Sequence, residues 1–148
     1  MPVRHWLIKS EPFKYSWDTF VKDGKTFWDG VRNYEARNHL SAMKKGDLAL
    51  YYHSNVGKEI VGIARVIGES YQDPTTKDER WVAVDFAPVV PFKVPVTLAD
   101  IKADPDLPDI MLVKRSRLSV IPVEKKDFQH ILKRGKTKVP RGQPTRSQ

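Results

Sequence analysis

The chain has 148 residues, 40% apolar and 30% charged, with no cysteine and a formal net charge of +8. That length suits a single domain with one real core. The composition excludes disulfides, thiol nucleophiles and thiolate metal sites, and no apolar run is long enough to span a bilayer. The opening MPVRHWLIKS lacks a secretory h-region, so a reducing compartment is expected: the cytoplasm, or the nucleus in a eukaryote. The charge is unevenly placed. Residues 133–148 hold six Lys/Arg and no acid, which leaves 20 basic and 18 acidic side chains over residues 1–132. The expected division is a folded domain over 1–132 and a disordered basic tail over 133–148, rich in Pro, Gly, Ser, Thr and Lys. Such a tail either lends sequence-independent affinity for nucleic acid or serves only solubility.

In chain order, residues 5–10 alternate as a strand. Ser16 caps a short helix with Asp18 in its first turn and Tyr15 and Phe20 at staple spacing, and Asp23-Gly24 ends it. Trp28 and the turn signal Asp29-Gly30 then fall between two helices. Asn33 caps the second, where Ala36, Leu40 and Met43 form the buried stripe and Lys44-Lys45-Gly46 the stop. Residues 47–54, 59–71 and 80–90 read as strands, with turns at Asn55-Val56-Gly57 and Asp73-Pro74. Thr97 caps a short helix over 98–103, residues 117–123 form a strand and 124–132 the last helix. The order β-α-α-β-β-β-α-β-α lacks βαβ alternation. It predicts an α+β fold, with a curved mixed or antiparallel sheet and peripheral helices.

Catalytic and cofactor signatures are absent: no GxGxxG, P-loop, HExxH or GxSxG. His5, His39, His53 and His130 are scattered, none with a second histidine at ligand spacing, so neither metal nor cofactor is expected. Aromatic and small polar residues instead gather at element ends. Trp28 adjoins a turn, Tyr52-His53-Ser54-Asn55 runs off a strand, and Arg117 and Ser119 alternate with Leu118 and Val120. An aromatic wall with amide, hydroxyl and cationic donors suits a nucleobase, taken from a single strand or flipped from a duplex. Each piece also has a plainer reading. Trp6, Trp17 and Trp81 suit a core, Asn33 a helix cap, and Arg32 a surface charge.

Several segments together resemble the EVE family of the PUA-like superfamily. They are WLIKSEP (6–12), YSWD (15–18), WDGVRNYEARNHL (28–40), MKKGD (43–47), YYHSN (51–55), VGIARV (61–66), YQDPT (71–75) and RLSVIPV (117–123). The likeness covers about residues 5–132, with Gln72 where proline is usual. It implies a PUA-like, barrel-like sheet flanked by short helices, and a pocket like that of YTH domains, which read methylated adenine. It further implies a non-enzymatic module that recognises a modified base in DNA or RNA, methylated or hydroxymethylated cytosine among them. Lys9, Ser10, Trp28, Asp29, Asn33, Tyr52, His53, Ser54, Asn55 and Arg117 match motif positions that would line this pocket. Trp28 would supply its wall; Lys9, Arg117 and the Ser54-Asn55 turn would meet phosphates or the base edge. The simplest assembly is a monomer away from membranes. Two alternatives remain at this point: an amidohydrolase of the same superfamily, with Lys9 and Asp29 or Glu11 as base and partner, and a small-molecule-binding module.

Overall fold

The computed structural model describes residues 3–140. Its strands are β1 (His5–Ser10), β2 (Thr26–Trp28), β3 (Leu48–His53), β4 (Glu59–Val66), β5 (Tyr71–Gln72), β6 (Val82–Thr97) and β7 (Val120–Val123). Its helices are α1 (Trp17–Asp23), α2 (Tyr34–Ala42), α3 (Leu98–Ala103), α4 (Met111–Lys114) and α5 (Lys125–Arg134). The strands form one mixed sheet in the order β2-β6-β4-β3-β1-β7, with β5 paired to β6 off that path. Among the described residues, only the β1–β3 pairing is parallel. Register shifts in the β3–β4 and β4–β6 ladders help curl it into a half-barrel, since an unmatched residue bends its strand. Trp6, Leu7 and Ile8 are consecutive and all fully buried, so β1 is covered on both faces.

Local chemistry explains the helix starts. Ser16, Asn33 and Thr97 each accept a backbone N–H through the side chain, and Thr97 with Asp100 completes a capping box. Asp47, just ahead of β3, is wholly buried. Its carboxylate accepts from Arg4 N at 3.1 Å, Trp6 Nε1 at 3.1 Å and Lys44 N at 3.0 Å, tying the start of β1 to the end of α2. Gly62 in β4 lies against the Trp17 ring, where an added Cβ would meet ring atoms at 2.5 Å. Gly62→Ala is therefore expected to destabilise by about 1–3 kcal/mol in a urea titration, because the indole must leave its place to admit a methyl group. An unchanged midpoint would mean that Trp17 moves freely.

Four features depart from the sequence reading. β2 occupies what reads as an interhelical turn, because its pairing with β6 (Trp28 opposite Val84) is non-local. β6 continues to Thr97 through Pro88, Pro91 and Pro95, residues that punctuate a strand when read locally. β7 begins at Val120, so Arg117 lies in a turn after α4, although Leu118 and Val120 are buried as the alternation requires. The domain does not stop at 132. α5 runs to Arg134, Gly135 O accepts from Val94 N at 3.1 Å, and Thr137 Oγ1 accepts from Lys93 N at 2.9 Å. Val139 packs on the core. Residues 133–140 are thus part of the fold; the remainder of the expected basic tail, 141–148, lies outside the described residues. Among the described residues, no helix is long and apolar enough to cross a membrane.

Candidate functional site

β1 and β3 run parallel and in register and finish side by side, Ser10 opposite His53. Ser54 N donates to Ser10 O at 2.9 Å, so the chain leaves both strands at one edge. A cleft of about 840 Å³ opens there. Seven expected residues line it: Lys9 and Ser10 from the end of β1, Trp28 and Asp29 from the end of β2, Ser54 and Asn55 after β3, and Arg117 before β7.

Three expected residues do not. Tyr52 is 3% exposed and serves the core, its ring 5.9 Å from Lys9 Nζ; burial pushes its phenol pKa up. His53 Nε2 accepts the Trp17 backbone N–H at 3.0 Å, and desolvation lowers its pKa, which suits a neutral acceptor. Asn33 caps α2 through Oδ1 to Ala36 N at 2.9 Å and borders a separate hollow of about 260 Å³ beside Arg115 and Arg117. Of YYHSN, Tyr51 and Tyr52 are packed in the core and His53 is engaged by the Trp17 N–H, so Ser54 and Asn55, beyond β3, are the ones that line the cleft.

Trp28 is fixed from behind. Its ring meets Tyr51 edge-to-face at 5.7 Å and 85°, and Phe86 at 5.9 Å and 77°. Tyr51 is anchored by its hydroxyl, which donates to Tyr15 O at 2.7 Å. The indole stays half-buried, on the cleft wall. Residues 29–32 continue that wall and hang on Asp73, whose side chain is fully buried. Asp73 Oδ2 accepts from Gly30 N at 2.7 Å and Arg32 Nη1 at 3.0 Å; Oδ1 accepts from Thr75 N at 2.7 Å and Thr75 Oγ1 at 2.5 Å. Burial alone would raise the Asp73 pKa. The donors from Thr75, Gly30 and Arg32 outweigh it and hold the carboxyl well below the usual range. Gly30 has φ +73°, which a side chain would strain, so glycine is what lets its N–H turn to Asp73.

On the opposite rim, Glu11 accepts from Asn55 Nδ2 and pairs with Lys14 at 3.1 Å. Lys9 Nζ donates to Ser116 O at 2.9 Å, and desolvation lowers its pKa. Arg117 and Asp29 make no side-chain hydrogen bond or ion pair among the described residues, and both border the cleft. Thr26 and Phe27 also line the cleft, although a three-residue strand shows no period that would mark them in the sequence, and Arg32, a surface charge by sequence, also buttresses the wall. The best metal-like grouping is elsewhere: Asp104, Asp106 and His130 bring ligand atoms within 4.8 Å of one another. Its Asp104 carboxylate is already met by His130 Nε2 at 2.7 Å and Arg134 Nη1 at 3.2 Å, which suits a structural tie more than a cation.

The half-barrel and the cleft at its parallel strand ends define a PUA-like domain. A YTH domain from Zygosaccharomyces rouxii (MRB1) shares this fold at TM-score 0.59 and 16% identity, over 93% of this chain and 90% of that one. The family model of the EVE domain matches residues 4–134, and the chain belongs to the EVE family. Its relatives include thymocyte nuclear protein 1 of Gallus gallus, 36% identical over 162 residues, covering 86% of this chain and 67% of that protein. Among solved structures, Rpa0253 of Rhodopseudomonas palustris is 51% identical with TM-score 0.87, covering 90% of this chain and 94% of that one. Human THYN1, solved in complex with 5-methylcytosine containing DNA, is 32% identical with TM-score 0.83, covering 92% of this chain and 99% of that one.

Proposed function

We propose that this chain is a non-enzymatic nucleic-acid-binding module that reads one modified base, methylated or hydroxymethylated, in the cleft beside Trp28. The observation that carries the reading is the braced indole: Tyr51 and Phe86 hold it while its remaining surface borders the cleft. Stacking on such a ring contributes about 1–3 kcal/mol per base. Asp29 is an acceptor suited to the exocyclic amine of a cytosine, and Arg117 and Lys9 suit the adjoining phosphates. The complex of human THYN1 with 5-methylcytosine containing DNA supports the same chemistry here. The base enters unstacked, from a single strand or by extrusion from a duplex. In this reading the protein acts as a monomer without metal or cofactor, in the cytoplasm or, in a eukaryotic cell, the nucleus.

Titration of labelled DNA and RNA oligonucleotides with cytosine, 5-methylcytosine or 5-hydroxymethylcytosine at one position, at fixed salt, tests this. Wild type is expected to prefer a modified base, and Trp28→Ala to lose about 1–3 kcal/mol of that preference. Equal wild-type affinity for every member of the panel would overturn the reading. The amidohydrolase alternative draws on the desolvated Lys9 amine. Against it, Nζ is committed to a backbone carbonyl, Glu11 is committed to Asn55 and Lys14, and Asp29 makes no ion pair with Lys9, so neither expected base–partner pair is assembled among the described residues. Turnover of an acylated nucleoside that Lys9→Ala abolishes would replace the reader with the enzyme.

A further inference from the structure

Outside the cleft, one surface array of flat groups is ordered without serving the core. Tyr34, the first residue of α2, is 52% exposed, and its ring lies 5.2 Å from that of Trp81 at 35°. Trp81, which reads as a core residue in the sequence, is half-buried and outside the core cluster. Arg37 lies over Tyr34 at 5.3 Å, while Arg32 and Arg80 lie over Trp81 at 5.5 Å and 5.8 Å.

Hydrogen bonds hold every guanidinium in place. Arg37 Nη1 donates to Arg80 O at 3.1 Å and Nε to Asn38 Oδ1 at 3.0 Å. Arg80 donates to the Tyr34 hydroxyl at 2.9 Å and grips Asp78 through Nε and Nη2. Arg32 is fixed by Asp73. Arg32 answers to the buried Asp73, but Arg37 and Arg80 do not. Surface ion pairs add little stability, and holding long side chains in one geometry costs entropy, so stability is a poor account of the order at those two. Recognition is a better one: planes fixed before binding need not be ordered on binding. Three guanidiniums face two carboxylates in the array, so it stays net positive. Arg32 belongs to both surfaces, lining the cleft and covering Trp81, which makes the array continuous with the cleft.

We propose that the Arg37–Tyr34–Trp81–Arg80 ladder is a second nucleic-acid contact, stacking unpaired nucleotides that flank the base held in the cleft. The placement of those nucleotides rests on the base-reading function; the ladder's affinity for a single strand does not. Bases continue the stack on exposed ring and guanidinium planes, and phosphates take the N–H groups left over. Base identity is not read here, because every base has a π-face.

The test uses two single-stranded 12-mers, one unmodified and one with a central 5-methylcytosine, titrated against the full chain at fixed low salt. Tyr34→Ala is expected to weaken both about tenfold and leave their ratio unchanged, while Tyr34→Phe stays near wild type. Arg37→Gln is an independent variant at the half-buried end of the ladder, should Tyr34→Ala fail to fold. It should weaken both about threefold and reduce the salt slope by about one. Wild-type affinity for the unmodified strand in the folded ladder variants, or no binding of that strand by wild type, would overturn the ladder. A wild-type ratio of one would overturn the base-reading cleft instead, and would leave the ladder to be judged on the unmodified strand.

Discussion

Asp47→Ala is expected to lower the unfolding free energy by about 3–5 kcal/mol, a large share of what holds a domain of this size together. Three donors converge on that carboxylate: two backbone N–H groups, of Arg4 and Lys44, and the Trp6 indole. Side chain and indole are both fully buried, so water does not replace the lost acceptor without opening the core. The orphaned indole N–H then bears its full desolvation cost, about 1–3 kcal/mol, and the two part-buried backbone N–H groups a share of theirs. Asp47→Asn should recover only part of the loss, since its amide keeps one acceptor oxygen and turns an NH2 towards a donor. Urea denaturation of both variants checks this. A loss below about 1 kcal/mol for the alanine variant would mean that the site hydrates easily.

The second large effect is expected at Asp73, and it carries a pH signature. Asp73→Asn should cost about 3 kcal/mol at neutral pH, because a charged acceptor serving four donors becomes an amide with one acceptor oxygen. The native pKa is depressed, so the stabilisation is fully present above the unfolded aspartate value, about 3.9, and is lost as pH falls through the native value. The gap between wild type and Asp73→Asn should therefore be flat from neutral pH down to about pH 5, and narrow only in stronger acid. Unfolding midpoints across that range read it directly. A gap that closed already between pH 7 and pH 5 would show that some group other than Asp73 titrates. The same variant frees residues 29–32, so base selectivity should fall in samples that remain folded.

Features governed by neighbouring residues were legible before the structure. Ser16, Asn33 and Thr97 announce their helices because a cap acts within three residues. The Ala36 and Leu40 stripe is buried as its spacing requires. Features made by distant chain segments were not. A three-residue strand such as β2 shows no period, and it exists because β6 arrives beside it. Asp73 reads as a turn residue, and its second role is visible only once Gly30 and Arg32 are folded against it. For the cleft, the residues at strand ends and just beyond were found. Tyr52 and His53, still within β3, went inward. Strand position alone does not separate them, since Lys9, Ser10 and Trp28 also lie within strands and do face the cleft. Tyr52 and His53 are instead already engaged, one in the core and one by the Trp17 N–H, and such non-local partners leave no local mark in the sequence.

The four tryptophans are divided in a way that makes the protein its own optical probe. Trp6 and Trp17 are 0% and 6% exposed, sealed from any solute that leaves the fold intact. Trp28 and Trp81 are half-buried, one on the cleft wall and one in the ladder. Quenching of intrinsic emission by a bound strand would thus come from the outer pair alone. Replacing either with phenylalanine would leave a single external reporter, so occupancy of the two surfaces could be followed separately without a label.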